Sequence, residues 1–160
     1  MSTTPTTTTT PTRTNATAAA PVPAADVRAW LDAFAAAVRS ADYAAGEPLF
    51  APDVVGFGTV GVLLNGRAAL VASQWRRVWG ATSGFRFDYD RLACGGTGDT
   101  AWAAVPWSST GHAADGTRYP RSGRATYVLA RRAGRWVAVH SHHSLDPDGT
   151  SPAAGPGRGR

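Results

Sequence analysis

The chain of 160 residues contains a single cysteine, Cys94, and no run of 18 or more apolar residues. One cysteine cannot form an internal disulfide bond or supply several thiolates to a zinc site. The lack of a long apolar run argues against a membrane-spanning helix. The first residues also lack the basic region and the apolar core of a secretory signal peptide. We therefore expect a soluble cytoplasmic protein that does not bind membranes.

Lysine is also absent, and all 16 basic residues are arginine. Three of them, Arg13, Arg158 and Arg160, lie in the compositionally biased ends of the sequence. Elsewhere no more than two arginines are adjacent, whereas nucleic-acid-binding proteins usually concentrate their charge on one face or stripe. We therefore expect no nucleic-acid partner.

Composition divides the chain into three parts. Residues 1–24 are rich in Thr, Pro and Ala and contain too few large apolar side chains to offset the entropy cost of ordering. Residues 148–160 are equally poor in large apolar groups. We therefore predict disordered tails over 1–24 and 148–160 and one folded domain over 25–147, which is long enough for a single core.

The first half of this domain has the pattern of helices. Apolar residues recur at three- and four-residue spacing from Asp26 to Ala41, which predicts an amphipathic helix with Asp26 as its N-cap. We expect a short helix over Tyr43 to Phe50, an extended segment over Val54 to Val62, and a second amphipathic helix over Gly66 to Trp79.

The second half has the pattern of strands. We predict strands over Phe85 to Leu92, Thr100 to Ser108, Tyr119 to Ala130 and Trp136 to Leu145. Helices that precede a run of antiparallel strands indicate an α+β domain, with the N-terminal helices packed on one face of a curved antiparallel sheet.

The last two predicted strands carry the most informative side chains. Ala133 and Gly134 between them fit a hairpin turn in which Gly134 is left-handed and forms a G1 bulge. A plain two-residue turn would shift the pairing by one residue and mix the two faces. The G1 register places on one face Arg124, Thr126, Trp136, His140 and His142. It places on the other, which is more apolar and is expected to face the interior, Ala125, Tyr127, Leu129, Val137, Val139, Ser141 and His143.

Three histidines lie within four positions near the end of this hairpin. Histidines two residues apart on a strand point the same way, and three of them can bind zinc. The predicted register places Arg124 opposite His142, and a fixed cation disfavours a divalent ion nearby. We therefore expect no metal and no cofactor.

Acid–base chemistry is the second possibility for the histidines, because histidine titrates near neutral pH. His143 with Tyr127 is the interior polar pair that we take as the candidate catalytic pair. Asp53 is expected at a turn or cap, and Asp88 and Asp90 are expected to face outward. The alternative, histidines that are hydrogen-bonded across the sheet or at a subunit interface, stays open.

Three sequence segments carry a family resemblance: LFAPDVVGFGT (Leu49 to Thr59), NGRAAL (Asn65 to Leu70) and the closing GRATYVL…GRWVAVHSHHS. Together they resemble the SnoaL-like branch of the NTF2-like superfamily, in particular its SgcJ/EcaC and DUF4440-type groups. The closing segment is also similar to the association domain of the calmodulin-dependent kinases. The resemblance covers nearly all of residues 25–147. It implies a cone-shaped α+β fold with a pocket between helices and sheet, and a homodimer formed through the sheet.

Six tryptophans are more than a core of this size needs, and a flat apolar ligand would use such side chains as walls. Arg124 would meet an anionic or carbonyl end of the ligand, or pair with an acidic residue at a dimer interface. The expected ligand-binding residues are Trp75, Trp79, Trp107, Phe57, Arg124, His140 and His142.

Two functional hypotheses follow, because the scaffold implied by the resemblance hosts enzymes and non-catalytic proteins alike. The first is a small-molecule-binding protein of bacterial secondary metabolism that isomerises, cyclises or dehydrates an apolar carbonyl compound. The alternative is a non-catalytic homodimeric ligand-binding or scaffold protein, with the His/Arg face at the subunit interface.

Overall fold

The first amphipathic segment forms helix α1 (Ala24–Ser40) in the computed structural model, which describes residues 19–147. Residues 1–18 of the predicted N-terminal tail and the whole predicted C-terminal tail (148–160) lie outside the described residues. The predicted N-cap is wrong, because Pro23 occupies that position and Asp26 lies in the first turn. The Asp26 carboxylate accepts a hydrogen bond from Trp136 Nε1 (3.3 Å), so it ties α1 to the sheet.

Residues 19–23, which composition assigns to the N-terminal tail, run beside a strand of the sheet. Pro21 forms an isolated antiparallel bridge with Thr97. The Val22 N–H donates to the Gly96 carbonyl (3.1 Å), and the Val22 side chain packs against the core. These residues therefore lead into α1 along the edge of the sheet.

The remaining helical segments lie where the sequence predicts them. Helix α2 (Tyr43–Gly46) continues into a 3₁₀ turn (Glu47–Leu49). The second amphipathic segment is less regular than predicted, because a π-helical stretch (Val71–Trp75) separates helix α3 (Arg67–Leu70) from helix α4 (Arg76–Val78). A 3₁₀ turn (Trp79–Ala81) follows. The segment nevertheless buries Leu70, Val71, Trp75 and Trp79 as its pattern predicts.

Seven strands form one sheet. They are β1 (Phe50–Phe57), β2 (Leu64–Asn65), β3 (Thr82–Phe87), β4 (Ala93–Thr97), β5 (Thr100–His112), β6 (Arg118–Arg132) and β7 (Arg135–Leu145). The order is β2-β1-β7-β6-β5-β3, and β4 pairs with a separate stretch of β5. Strand β1 runs parallel to β7, and the other neighbouring strands are antiparallel.

The strand predictions hold for β5, β6 and β7, with ends that differ by a few residues. The predicted strand over Phe85 to Leu92 is displaced, because β3 ends at Phe87 and a 3₁₀ turn (Tyr89–Arg91) follows. Asp88 is the N-cap of that turn and Asp90 lies within it, so neither is on a strand, although Asp90 is exposed. Strands β2 and β4 were not predicted.

The β6–β7 hairpin differs from the prediction near its turn. Arg132 pairs with Arg135, and the two residues between them, Ala133 and Gly134, both have positive φ (49° and 76°). This is the two-residue turn that matches the twist of the strands, so the predicted G1 bulge is wrong. A bulge lies instead at Val139, between the pair Leu129–Ala138 and the pair Val128–His140.

The bulge explains which face assignments hold. Before it, Trp136 pairs with Arg131 and Val137 with Ala130, so both lie on the faces opposite to those predicted. Beyond it, Ala125 pairs with His143 and Thr126 with His142. His143 is therefore on the face of Ala125, and His142 on the opposite face, as predicted. The predicted pairing of Arg124 with His142 is wrong, because Arg124 pairs with Ser144.

The helices pack on one face of this curved sheet, which we call the inner face. The core between the two layers contains Trp30, Phe34, Phe50, Tyr127 and Leu129, each at most 4% exposed. The predicted α+β architecture, with N-terminal helices on a curved and mainly antiparallel sheet, is confirmed. Across residues 19–147, none of the helices combines the length and the apolar character that crossing a membrane requires.

Candidate functional site

A cavity opens between the helices and the inner face of the sheet. Its empty volume, including the space open to solvent at the mouth, is about 530 Å³, yet the centre of a water-sized sphere can move within only about 40 Å³ of it. Side chains therefore leave little free room in this cavity, which we call the slot. Many of its lining residues are aromatic, among them Phe34, Phe50, Trp75, Trp79, Phe85 and Trp107.

One wall is a stack of rings on the helical segment. Trp75 and Trp79 lie 4.5 Å apart between ring centroids at an interplanar angle of 18°, and Tyr43 stacks on Trp79 at 5.4 Å. Gly46 of α2 allows this close approach, since a Cβ there would lie 2.7 Å from Trp79. The helical wall of the slot is therefore built from closely packed aromatic rings.

A polar pair, of which Tyr127 is buried and His143 half-buried, lies at the sheet side of the slot. Tyr127 Oη and His143 Nε2 are 2.6 Å apart, and they are diagonal neighbours on β6 and β7 because Ala125 pairs with His143. His143 lines the slot, whereas Tyr127 is 1% exposed and lies behind it. The two candidate catalytic residues thus contact each other, and His143 alone reaches the cavity.

Burial keeps both members of this pair neutral at pH 7. It raises the pKa of Tyr127 well above its usual value of 10. Burial also lowers the pKa of His143 to about 4, with smaller effects from the charges of His142 and Arg121. Either the tyrosine hydroxyl donates to Nε2 and Nδ1 carries the proton, or Nε2–H donates to the hydroxyl and Nδ1 has a free lone pair.

Polar side chains surround the mouth of the slot. Gln74, from the π-helical stretch, accepts a hydrogen bond from the Val60 N–H (3.2 Å) and donates to Thr59 Oγ1 (3.2 Å). It therefore holds the loop after β1 over the cavity. Arg121 of β6 also lines the slot and donates to Thr59 Oγ1 (3.5 Å).

Arg121 was missed by reasoning from the sequence, which assigned the ligand-binding role to Arg124. Arg124 is exposed on the opposite, outer face of the sheet, where its Nε donates to Ser144 Oγ (3.1 Å). The predicted strand from Tyr119 to Ala130 already contained the signal. Arg121 lies an even number of residues from Tyr127, so strand alternation places both on the inner face.

The sequence of the domain that contains the slot also identifies its family. A family model described as SnoaL-like domain matches residues 27–147. The chain belongs to this family. No curated protein matches it in sequence.

Solved structures share the fold of the SnoaL-like domain. An NTF2-like superfamily protein from Salmonella enterica is similar, with a TM-score of 0.67, 22% identity, and coverage of 84% of this chain and 96% of that one. A ketosteroid isomerase-like protein from Erwinia carotovora has a TM-score of 0.67 at 19% identity, covering 76% and 94%. A structure named for the calcium/calmodulin-dependent protein kinase II association domain, from Xanthomonas campestris, has a TM-score of 0.68 at 23% identity, covering 82% and 96%. These likenesses show an NTF2-like fold.

The other two histidines of β7 lie outside the slot. His140 and His142 are on the outer face, and the ring of Phe57 lies 6.0 Å and 5.5 Å from theirs. Phe57 also borders the mouth of the slot. Within residues 19–147 there is no group of three side chains that could hold a metal ion.

Carboxylates do not line the slot in the described part of the SnoaL-like domain. Asp53 lies within β1, where the sequence predicted a turn or cap residue, and its Oδ1 accepts a hydrogen bond from Arg132 Nη1 (2.6 Å). This bond lowers the pKa of the Asp53 carboxyl. The polar groups that a ligand in the slot can meet are therefore His143, Arg121 and neutral hydroxyl and amide groups.

Proposed function

We propose that this SnoaL-like domain binds a small, flat, largely apolar molecule that carries a carbonyl or similar oxygen. The aromatic walls would enclose the body of the ligand, and the imidazole of His143 would hydrogen-bond its oxygen. The observation that carries the proposal is the Tyr127–His143 hydrogen bond (2.6 Å), because it fixes the imidazole at the wall of a largely apolar slot. Pockets of this composition orient ligands through a few placed polar groups.

The same geometry supports proton transfer. When Nε2–H donates to Tyr127, the Nδ1 lone pair of His143 is available to take a proton from a carbon beside the ligand carbonyl. With a pKa of about 4 it would be a base of roughly the strength of the aspartate used by ketosteroid isomerase, about 4.6. Return of that proton to another carbon completes an isomerisation without a further reactant. Cyclisation and dehydration of carbonyl compounds can begin with the same step.

Binding by the full chain can be tested with 2-acetylnaphthalene, a flat apolar ketone, by isothermal titration calorimetry. We expect His143→Phe to weaken binding about 5- to 10-fold, since a neutral hydrogen bond contributes about 1 kcal/mol. His142→Phe is the matched control on the outer face and should leave the affinity unchanged. Failure of the wild-type chain to bind, or equal loss in both variants, would contradict the proposal.

A second candidate, a non-catalytic homodimer formed through the sheet, is favoured by a row of side chains on the outer face. Trp102 pairs with Val128, Val128 with His140, and His140 with Val55, so the four lie side by side across the sheet. Trp102 and Val55 are 47% and 37% exposed, which is unusual for large apolar side chains aligned in one row. Sedimentation velocity should show a dimer that Trp102→Arg dissociates; a wild-type monomer at micromolar concentration would rule this arrangement out.

Location in the cytoplasm and a role in bacterial secondary metabolism stay predictions from the sequence. Cell fractionation and the phenotype of a deletion strain would test them.

A further inference from the structure

Arg121 is the one cation that lines the slot among the described residues. It lies on the inner face of β6 directly across from Ser109 of β5. Its guanidinium stands 5.4 Å from the centre of the Trp107 ring, and burial lowers its pKa. Trp107 in turn lies 6.1 Å from His143 between ring centroids. The Trp107 ring therefore lies close to both the Arg121 guanidinium and the His143 imidazole.

No described carboxylate pairs with this guanidinium. Within residues 19–147, no carboxylate oxygen lies within 4.0 Å of Arg121, whereas Arg67, Arg91 and Arg132 each have one such partner and Arg131 has two. Its hydrogen bond to the described residues is the long one to the Thr59 hydroxyl (3.5 Å). Burying a charge without a counter-charge costs free energy, so an arginine held this way is suited to receive an anion from outside the chain.

Two further donors beside Arg121 are unpaired. Trp107 Nε1 and Ser109 Oγ are buried, at 4% and 9% residue exposure, and neither has a hydrogen-bond partner among the described residues. Both belong to the inner face of β5, and Trp107 lines the slot. Buried polar groups in native proteins are almost always satisfied, so each of these two needs a partner such as a water molecule, an ion or a group of a ligand. A carboxylate has lone pairs enough for a guanidinium and an indole N–H together.

We infer that the ligand of this slot is a flat apolar acid whose carboxylate binds the Arg121 guanidinium, while its hydrocarbon body lies along Trp107 toward His143. The inference rests on the proposed function and adds the charge of the ligand to it. Arginine suits this role better than lysine, because its planar fork matches the two carboxylate oxygens. Gly123, between Arg121 and Tyr127 on β6, allows the close packing of Trp107, since a Cβ there would lie 2.6 Å from that ring.

Two probes of the same shape test this charge preference: 2-naphthoate and the neutral 2-acetylnaphthalene. Their dissociation constants would be measured by calorimetry for the full-length wild type, Arg121→Met, Arg121→Lys and Arg124→Met. Methionine keeps much of the apolar stem of arginine without its charge, and Arg124 lies on the same strand with its side chain on the outer face. Circular dichroism and urea unfolding would verify that each variant is folded.

We expect wild-type protein to bind 2-naphthoate at least about 10-fold more tightly than the ketone, because charged hydrogen bonds are about twice as strong as neutral ones. Arg121→Met should weaken the binding of 2-naphthoate about 10- to 100-fold and the binding of the ketone less than about 3-fold. The affinity of Arg121→Lys for 2-naphthoate should lie between those of the wild type and Arg121→Met. Arg124→Met should bind both probes as the wild type does. Equal affinity for the two probes, or equal losses in Arg121→Met and Arg124→Met, would overturn the inference and leave the proposed function standing. If neither probe binds, the inference and the proposed function are both overturned.

A direct readout of the unpaired indole completes the test. The Trp107 Nε1–H resonance, identified by its loss in Trp107→Phe, should shift when 2-naphthoate is added to ¹⁵N-labelled protein. An unchanged resonance at saturating 2-naphthoate would remove Trp107 from the carboxylate site.

Discussion

His142 and His143 are adjacent in sequence, yet they lie in opposite environments. His142 is exposed on the outer face, and no described residue hydrogen-bonds to its ring. His143 lies on the inner face beneath aromatic rings, is bonded to Tyr127, and has a pKa lowered to about 4. The difference comes from strand alternation together with the helical layer that covers only one face. A cluster of histidines in sequence is therefore no guide to a cluster in space.

The largest contrast between the faces should come from Tyr127→Ala compared with Thr126→Ala. Tyr127 is 1% exposed and packs edge-on against Trp30 at 4.9 Å, so its loss should lower the free energy of unfolding by about 3–5 kcal/mol. Thr126 is exposed on the outer face, and its truncation should change the free energy by less than about 1 kcal/mol. Urea unfolding measures both; similar losses would contradict the assignment of faces.

The next contrast is in the dependence of stability on pH. The folded pKa of His143, about 4, lies below the unfolded value of 6.5, so the unfolded chain binds more protons between these values. The contribution of neutral His143 to the free energy of unfolding is therefore complete above pH 6.5 and is lost as the pH falls toward 4. Since His143 is only partly buried, we expect this loss to reach about 2–3 kcal/mol.

Urea unfolding between pH 4 and 6.5 measures this dependence, and two variants separate the faces. His143→Gln should flatten the curve in this window, while His142→Gln should follow the wild type. A curve for His143→Gln that keeps the wild-type slope would show that another group is responsible.

The smallest contrast concerns single hydrogen bonds. Tyr127→Phe leaves His143 Nε2 without its partner at a buried site, which should lower the free energy of unfolding by about 1–2 kcal/mol. Arg124→Ala removes an exposed bond to Ser144 and should cost less than about 0.5 kcal/mol. Thermal unfolding of the two variants, side by side, measures the difference, and a larger loss in Arg124→Ala would reverse the expected ranking.

Much of the fold could be predicted from the sequence, because period and composition reflect burial directly. The apolar spacing of α1 and the alternation of β5 to β7 are strong signals of this kind. The π-helical stretch over Val71–Trp75 was not predictable in this way, since its apolar pattern still fits an amphipathic helix. Strand β4 contains Gly95 and Gly96 and has little strand character of its own, so it depends on pairing with β5.

The site was less predictable, because its register depends on two local features that each shift the pairing by one residue in the same direction, so that the pairing beyond the bulge differs by two residues from the predicted one. The turn has one residue fewer than the predicted G1 bulge requires, and the bulge at Val139 adds one residue to β7. The positions beyond the bulge kept their predicted faces, and Trp136 and Val137 did not. The position of Arg121 followed from alternation alone, but its lack of an acidic partner depends on how distant segments pack, which the sequence does not state.

The Tyr127–His143 bond also has a consequence for how the chain folds. A slip of β7 by two residues along β6 would keep every side chain on its face, so hydrophobic patterning alone does not oppose it. Such a slip would separate the tyrosine hydroxyl from the imidazole and leave two polar groups unpaired among aromatic rings, at about 1–3 kcal/mol each. The pair therefore favours the native register of the β6–β7 hairpin over misaligned forms, whether or not a ligand is bound.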